Sequence, residues 1–307
     1  METDTIQIDE SGKSRIPVRK HAPAWLDYTL YPFKSKFLKL PTGNMHYVDE
    51  GDGETLLFIH GTPTWSFLYR HCLKELSSQY RCIAMDHLGF GLSDKPADFN
   101  GNPETHAENI RLLIEHLNLT GVTLVVHDFG GPIGLGAAIQ FPERIKRIVL
   151  LNSWCWETKN MEAARKVDRI VNSLAGKFLY LNLNFSPRLL MKQGFYLKRL
   201  LTKKIHLHYI NPFPDKLSRT GLLSLAKSLV GSSRWYEDQW QQLDVLTGKP
   251  WLILWGMQDR FISPDFLEKW VVRIPQAKVC KLNCGHFIQE EMAEILTSEV
   301  RQFLNDT

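Results

Sequence analysis

The stretch VTLVVHDFGGPIGLGAA, residues 122–138, decides how the rest of the chain is read. Five β-branched and apolar residues come first, then His127, Asp128 and Phe129, then a run dominated by Gly and Ala. A buried strand that turns sharply into a helix of small residues is the setting of a nucleophile elbow, where the crowded backbone demands small neighbours. The residue at the turn is Asp128, and Val126 stands two positions earlier where Gly is usual. Asp is also a favoured helix cap, but strand, turn and helix together point to chemistry.

Outward from this elbow, short β-rich runs alternate with helical patterns. Residues 37–40, 45–48, 55–59, 81–85, 122–126, 147–151, 251–254 and 278–282 read as strands. The runs TLLFI, VTLVV and WLIL are almost continuously apolar, which implies parallel strands covered on both faces. Residues 67–76, 104–117, 133–141, 264–272 and 288–304 read as helices. This alternation predicts an α/β class protein with a mostly parallel eight-stranded sheet flanked by helices. It stops between Trp154 and Gln242, where the pattern is helical, rich in Leu and Lys/Arg, and broken at Pro187 and at Asn211-Pro212-Phe213-Pro214. The expected organisation is therefore a core in two parts, residues 1–153 and 243–307, with a helical cap inserted as residues 154–242 and a pocket trapped beneath it.

Composition sets the frame. Of 307 residues, 44% are hydrophobic and 23% charged, which is ordinary for a globular chain. The five cysteines, Cys72, Cys82, Cys155, Cys280 and Cys284, are odd in number and loosely spaced, so neither a zinc site nor a disulfide framework is expected. Reduced thiols, the polar start METDTIQIDESGKSR and the lack of any long apolar run lead to the expectation of a cytoplasmic protein. No cofactor or metal is implied. The net charge is +4, yet residues 157–234 hold fifteen Lys/Arg against four Asp/Glu, an excess of eleven positive charges. No nucleic-acid-binding motif accompanies them. A membrane surface, a partner protein, an anionic amphiphile or a solvated basic face remain as readings of the cap.

Two further residues complete a triad in the chain order nucleophile, acid, histidine. Asp259 follows the strand run WLILWG, and His286 follows KVCKL. Both fall at the carboxyl ends of strands, where ligands bind in open α/β sheets. His60-Gly61-Thr62-Pro63 follows TLLFI in the place of the loop that donates one oxyanion N–H, and the residue after the nucleophile donates the other, so Thr62 and Phe129 form the expected pair. Asp86 reads as a turn-shaping residue. An aspartate side chain is ionised at neutral pH, so it can displace a leaving group from saturated carbon and form an alkyl ester. Water activated by His286 then cleaves that ester.

HGTPTWSFLYR (60–70), DHLGFGLSDKP (86–96), VVHDFGGPIGL (125–135), LLNSWCWE (150–157), LILWGMQD (252–259) and GHFIQEE (285–291) together resemble the haloalkane dehalogenases, α/β hydrolases with an Asp nucleophile. The resemblance runs along nearly the whole chain. It implies the α/β-hydrolase fold, a small apolar substrate and a covalent alkyl-enzyme. Asp259 resembles the acid of subfamilies that carry it after the later strand, and no acidic residue follows RIVLLN. Two positions depart from the family pattern. The family has Trp after the nucleophile, and its indole holds the departing halide; here it is Phe129, which has no polar donor. Many members have Asn after His-Gly; here it is Thr62. Members without that Asn use a cap Trp, and no Trp lies between Glu157 and Ser233. Trp65, Trp154, Trp156, Trp235 and Phe287 are the remaining aromatic candidates for the pocket.

The leading expectation is a haloalkane dehalogenase-like hydrolase. The sequence also looks like the β-lactone decarboxylases of long-chain olefin biosynthesis, relatives in which no halide leaves. Epoxide hydrolases need two cap tyrosines, for which Tyr180, Tyr196, Tyr209 and Tyr236 are candidates. Fluoroacetate dehalogenases carry Arg after the Asp, which Phe129 does not match. A non-catalytic ligand receptor on the same fold is the alternative from another class.

Overall fold

Eight of the short apolar runs assemble into one sheet. The computed structural model describes residues 23–307, together with the two-residue strands Gln7–Ile8 and Ser14–Arg15, which pair antiparallel. The chain divides into two units, one up to Pro32 and one from Phe33 to Thr307. The second holds the sheet: β1 (Lys36–Leu40), β2 (Gly43–Glu50), β3 (Thr55–Ile59), β4 (Arg81–Met85), β5 (Val122–His127), β6 (Ile145–Leu151), β7 (Trp251–Gly256) and β8 (Lys278–Leu282). Their order is 8-7-6-5-3-4-2-1, and only β2 runs antiparallel to its neighbours. Every residue of β3, β5 and β7 is buried, as continuous apolar runs require in a sheet covered on both faces. The edge strand β8 is only partly buried and carries Lys278 and Lys281, which discourage pairing with another sheet.

Helices α1 (Arg70–Leu76), α2 (Pro103–His116) and α3 (Gly130–Gln140) link the first strands. Asn102 starts α2 by accepting the Thr105 N–H at 2.9 Å, and Pro103 fills the first turn, where a missing N–H costs nothing. The cap spans α4 (Glu162–Asn172), α5 (Leu174–Leu183), a π-helical turn Ser186–Leu190, α6 (Met191–Gly194), α7 (Lys203–Ile210), α8 (Thr220–Gly231) and α9 (Ser233–Gln242). Helix α10 (Asp244–Thr247) leads back to β7. Then come α11 (Pro264–Arg273), α12 (Ile288–Glu291) and α13 (Ala293–Asp306). The helix read at 133–141 starts earlier, at Gly130, because the elbow itself forms its first turn. The one read at 288–304 breaks at Met292, which leaves the short turn α12 to aim Glu290 and Glu291 at buried partners.

Cap and core belong to the same unit. One reason is visible at Gly136 on α3, where an added Cβ would lie 2.7 Å from the Trp235 ring of α9. Only a residue without a side chain lets that indole seat on the core. Among the described residues no helix is long and apolar enough to cross a membrane.

Candidate active site

Asp128 sits where β5 turns into α3, with φ of 53°, in the left-handed region that a non-glycine residue adopts only at a cost of about 1–2 kcal/mol. The surroundings hold it there. Ser153 Oγ donates to its carbonyl at 2.6 Å and the Gly131 N–H at 2.9 Å. Added Cβ atoms at Gly130 and Gly131 would fall 2.3 Å from the Ile59 carbonyl and 1.7 Å from Ser153 Oγ. Gly61 faces the carboxyl group, 2.2 Å from where its own Cβ would be. The unusual Val126 is accommodated across α3: a Cβ at Gly134 would meet Val126 Cγ1 at 2.8 Å. The glycine missing two residues before Asp128 is thus compensated by one six residues after it.

His286 lies between two carboxylates. Its Nδ1 is 2.7 Å from Asp259 Oδ2, and its Nε2 is 3.4 Å from Asp128 Oδ1. Asp259 is anchored by the Phe261 N–H at 2.7 Å, the Ile262 N–H at 3.2 Å and the Asn152 side-chain amide at 2.8 Å. Burial would raise the Asp259 carboxyl, but the His286 imidazole and these N–H donors hold it below the usual carboxylate range. Burial alone would lower His286; Asp259 and Asp128 together more than reverse that and hold it up at about 10. Both neighbouring carboxylates thus favour the charged imidazole.

Several residues the sequence reading passed over complete the arrangement. Asn152 also accepts the Gly256 N–H at 2.8 Å, so its amide ties β7 to the Asp259 loop. His127 Nε2 lies 2.8 Å from the His286 carbonyl and must donate, because a carbonyl only accepts. Burial, then the nearby His286, push His127 down to about 3, so it stays neutral. Glu291 accepts N–H groups from Gly285 at 3.0 Å, Tyr196 at 3.3 Å and Leu197 at 2.6 Å, while the His286 N–H donates to the Gly194 carbonyl at 2.8 Å. The histidine loop and the cap are thereby held as one piece. An Asn at a strand end and a His beside the nucleophile were visible in the sequence; their partners were not.

Thr62 donates its backbone N–H to Asp128 Oδ2 at 3.0 Å. The loop is fixed by His60, whose Nδ1 donates to the Gly61 carbonyl at 2.7 Å and whose Nε2 accepts the His87 N–H at 3.0 Å. Asp86 shapes the next turn by accepting the Ser66 and Leu92 N–H groups at 2.7 and 2.8 Å. Above Asp128 opens a cavity of about 400 Å³. Thr62, Phe129, Trp154, His286 and Phe287 line its core side. Met161, Val167, Tyr180, Leu190 and Met191 line its cap side. Phe129 stands edge-on to Trp154, with ring centroids 4.9 Å apart. Thr62 Oγ1 and Trp154 Nε1 are both buried without a protein partner.

Three aromatic expectations are corrected, and the first is Trp235, whose ring packs on Gly136 of α3 and does not line the cavity. Trp65 does not line the cavity: it is fully buried, and its indole N–H donates to the His208 carbonyl at 2.8 Å. Trp156 is also elsewhere, in a cluster with Trp240, Phe266 and Trp270, where the large rings find apolar contact. Nor do two tyrosines converge as an epoxide hydrolase would need. Tyr180 lines the cavity, Tyr196 is exposed, the Tyr209 hydroxyl donates to Glu290, and that of Tyr236 donates to the Ser228 carbonyl at 3.1 Å.

A strand-turn-helix carboxylate, a histidine at one strand end and an acid at another define an α/β hydrolase. Residues 54–293 match the family model of the alpha/beta hydrolase fold. A cis-3-alkyl-4-alkyloxetan-2-one decarboxylase of Shewanella oneidensis is 35% identical over 91% of this chain and 91% of its own. Haloalkane dehalogenase 2 of Mycobacterium bovis is 31% identical over 89% of this chain and 96% of its own. The crystal structure of haloalkane dehalogenase DatA from Agrobacterium tumefaciens C58 superposes with a TM-score of 0.80 at 24% identity, over 89% of this chain and 96% of that one. The chain belongs to the α/β-hydrolase family, within its haloalkane dehalogenase-like group.

Proposed function

We propose that Asp128 attacks the ring carbon of a lipid-like cis-3,4-dialkyl β-lactone and that the products are an alkene and CO2. The observation that carries this reading is the wall around Asp128: at the two positions where the dehalogenase pattern has Trp and Asn, the side chains of Phe129 and Thr62 supply no indole or amide donor for a halide, while the cavity is apolar and about 400 Å³. The relative with 35% identity is named for such a decarboxylation, which supports the same choice.

The chemistry balances without water. Asp128 Oδ1 or Oδ2 attacks the carbon that bears the ring oxygen, from the face opposite it. The ring C–O bond breaks with its electron pair on oxygen, leaving an alkyl ester of Asp128 beside a new carboxylate. The bond to that carboxylate then breaks, CO2 departs, its electron pair becomes the C=C bond, and Asp128 leaves as a carboxylate. The new carboxylate needs donors; Thr62 and Trp154 line the cavity, and their buried Oγ1 and Nε1 atoms, which have no protein partner, are the candidates. Strain release in the four-membered ring drives the first step.

The dehalogenase reading retains one supporting feature. His286, seated between Asp128 and Asp259, is placed to take a proton from water that cleaves an alkyl ester, a step decarboxylation does not need. Incubation with a cis-3,4-dialkyl β-lactone and, separately, with 1-bromobutane tests both. Alkene with CO2 is expected from the first and little bromide from the second; bromide release without alkene would overturn the proposal. Five free thiols support the further proposal that the protein works in the reducing cytoplasm.

A further inference from the structure

Helix α4 shows two different apolar faces. Ala164 and Val171 are buried against the rest of the cap. Ala163, Val167 and Ile170 lie on the neighbouring face, at helical spacing, and all three are exposed. Leu174 and Phe178, on the next helix α5, are exposed as well. Their exposures are 86% for Leu174, 54% for Phe178 and 52% for Ile170, so large apolar side chains stand in solvent on two successive helices. On the solvent side of this row stand Arg165, Lys166 and Arg169, followed by Lys177, all exposed; Lys166 is paired with Glu162 at 2.7 Å, and Asp168 is the other acid of α4. The row also leads somewhere. Ala163 and Val167 line the cavity, and with exposed Arg260 and Phe261 they form its open rim.

An apolar row edged by cations is what an interfacial helix presents to a lipid surface, with the aliphatic groups in the acyl boundary and the cations at the headgroups. Arg165, Lys166, Arg169 and Lys177 outnumber Glu162 and Asp168 on this face, within a segment 157–234 whose surplus is eleven positive charges, and that sign favours an anionic surface. We propose that the protein docks on anionic bilayers through α4 and the start of α5, with the cavity rim turned toward the lipid, so that an amphiphilic substrate enters from the membrane without crossing water. This deepens the lipid-substrate reading given above. Docking is measured without substrate, so its failure would leave that reading standing.

The test is co-sedimentation of the full chain with vesicles of phosphatidylcholine containing phosphatidylglycerol, and of phosphatidylcholine alone, with and without added salt. Binding is expected to the anionic vesicles only and to weaken with salt. A Leu174→Asp/Phe178→Asp variant is expected to bind roughly tenfold or more weakly, with unchanged circular dichroism and unchanged turnover of a short, water-soluble substrate. Arg165→Glu/Arg169→Glu should weaken binding in the same direction while leaving the apolar row intact. Equal binding to both vesicle types, no binding to either, or undiminished binding by the Asp variant would overturn the proposal. So would sedimentation equilibrium that shows a dimer dissolved by the Asp variant, since the row would then be covered by a second copy.

Discussion

The middle of the cap and its leading edge use similar residues in opposite ways. Between Gly194 and Tyr209 the cap is tied to the core by buried and half-buried polar bonds. The Gly194 carbonyl takes the His286 N–H, Glu291 takes N–H groups of Tyr196 and Leu197, and the His208 carbonyl takes the Trp65 indole. Arg70 grips Glu290 with both guanidinium nitrogens, one at 2.7 Å, and the Tyr209 hydroxyl closes the group. From Ala163 to Phe178, in contrast, cations and aliphatic side chains point to solvent. A buried charge is tolerated only when paired, so the middle segment has one geometry and fixes His286. The leading edge carries no such requirement and is free to meet a surface.

Substitutions can break this contrast or sharpen it. The largest effect is expected in the core: Asp128→Asn should lower turnover about 10⁴-fold or more, measured as kcat, because the nucleophile is lost. Asn tolerates the left-handed backbone, so the Tm should hardly move. An active Asn variant with an intact amide would remove Asp128 from the mechanism.

Next comes the tied segment. Arg70→Ala leaves Glu290 buried without its cation and should cost about 3–5 kcal/mol, read from urea denaturation. A loss below about 1 kcal/mol would mean the clamp is not what holds the cap's middle.

Within the cavity, Trp154→Phe keeps an aromatic ring and deletes its unpartnered N–H. A fall in kcat of roughly ten- to a hundredfold, with KM little changed, is expected if the indole stabilises the developing carboxylate. A change in KM alone would assign Trp154 to substrate packing.

The triad should also be legible in pH. His286 is expected to hold its proton until about pH 10, seen in the imidazole signals by NMR, and to release it at lower pH once Asp128 is alkylated. Its folded value lies above the ordinary 6.5, so its contribution to stability is complete below 6.5 and fades as pH rises through about 10. Asp259 lies below its ordinary 3.8, so its contribution is present above 3.8 and fades as pH falls through the depressed value. Asp259→Asn should therefore destabilise most between 3.8 and 6.5. A Tm difference that ignores pH would contradict the ion pair.

The smallest effect belongs to the leading edge. Leu174→Asp should change stability by less than about 0.5 kcal/mol, because the side chain touches little. A large loss would show that the exposed row supports the cap after all.

The sequence by itself determined the sheet and the strand-turn-helix at Asp128, and it singled out Asp259 and His286, which the fold brings beside it. Each rests on a local signal: continuous apolar runs, small residues crowding a turn, and acid and histidine at strand ends. Asn152 and His127 were in plain view but without meaning until the fold put their side chains beside Asp259 and His286. Trp65 and Trp156 show the same limit from the other side, since an aromatic signature does not say which way its ring faces. Tertiary structure alone decided that Gly134 makes room for Val126, that Glu291 joins the cap to the histidine loop, and that an apolar row on α4 ends at the cavity. Those contacts span distant parts of the chain or depend on which helix face is already covered, and periodicity along a chain reports that a face exists, not what covers it.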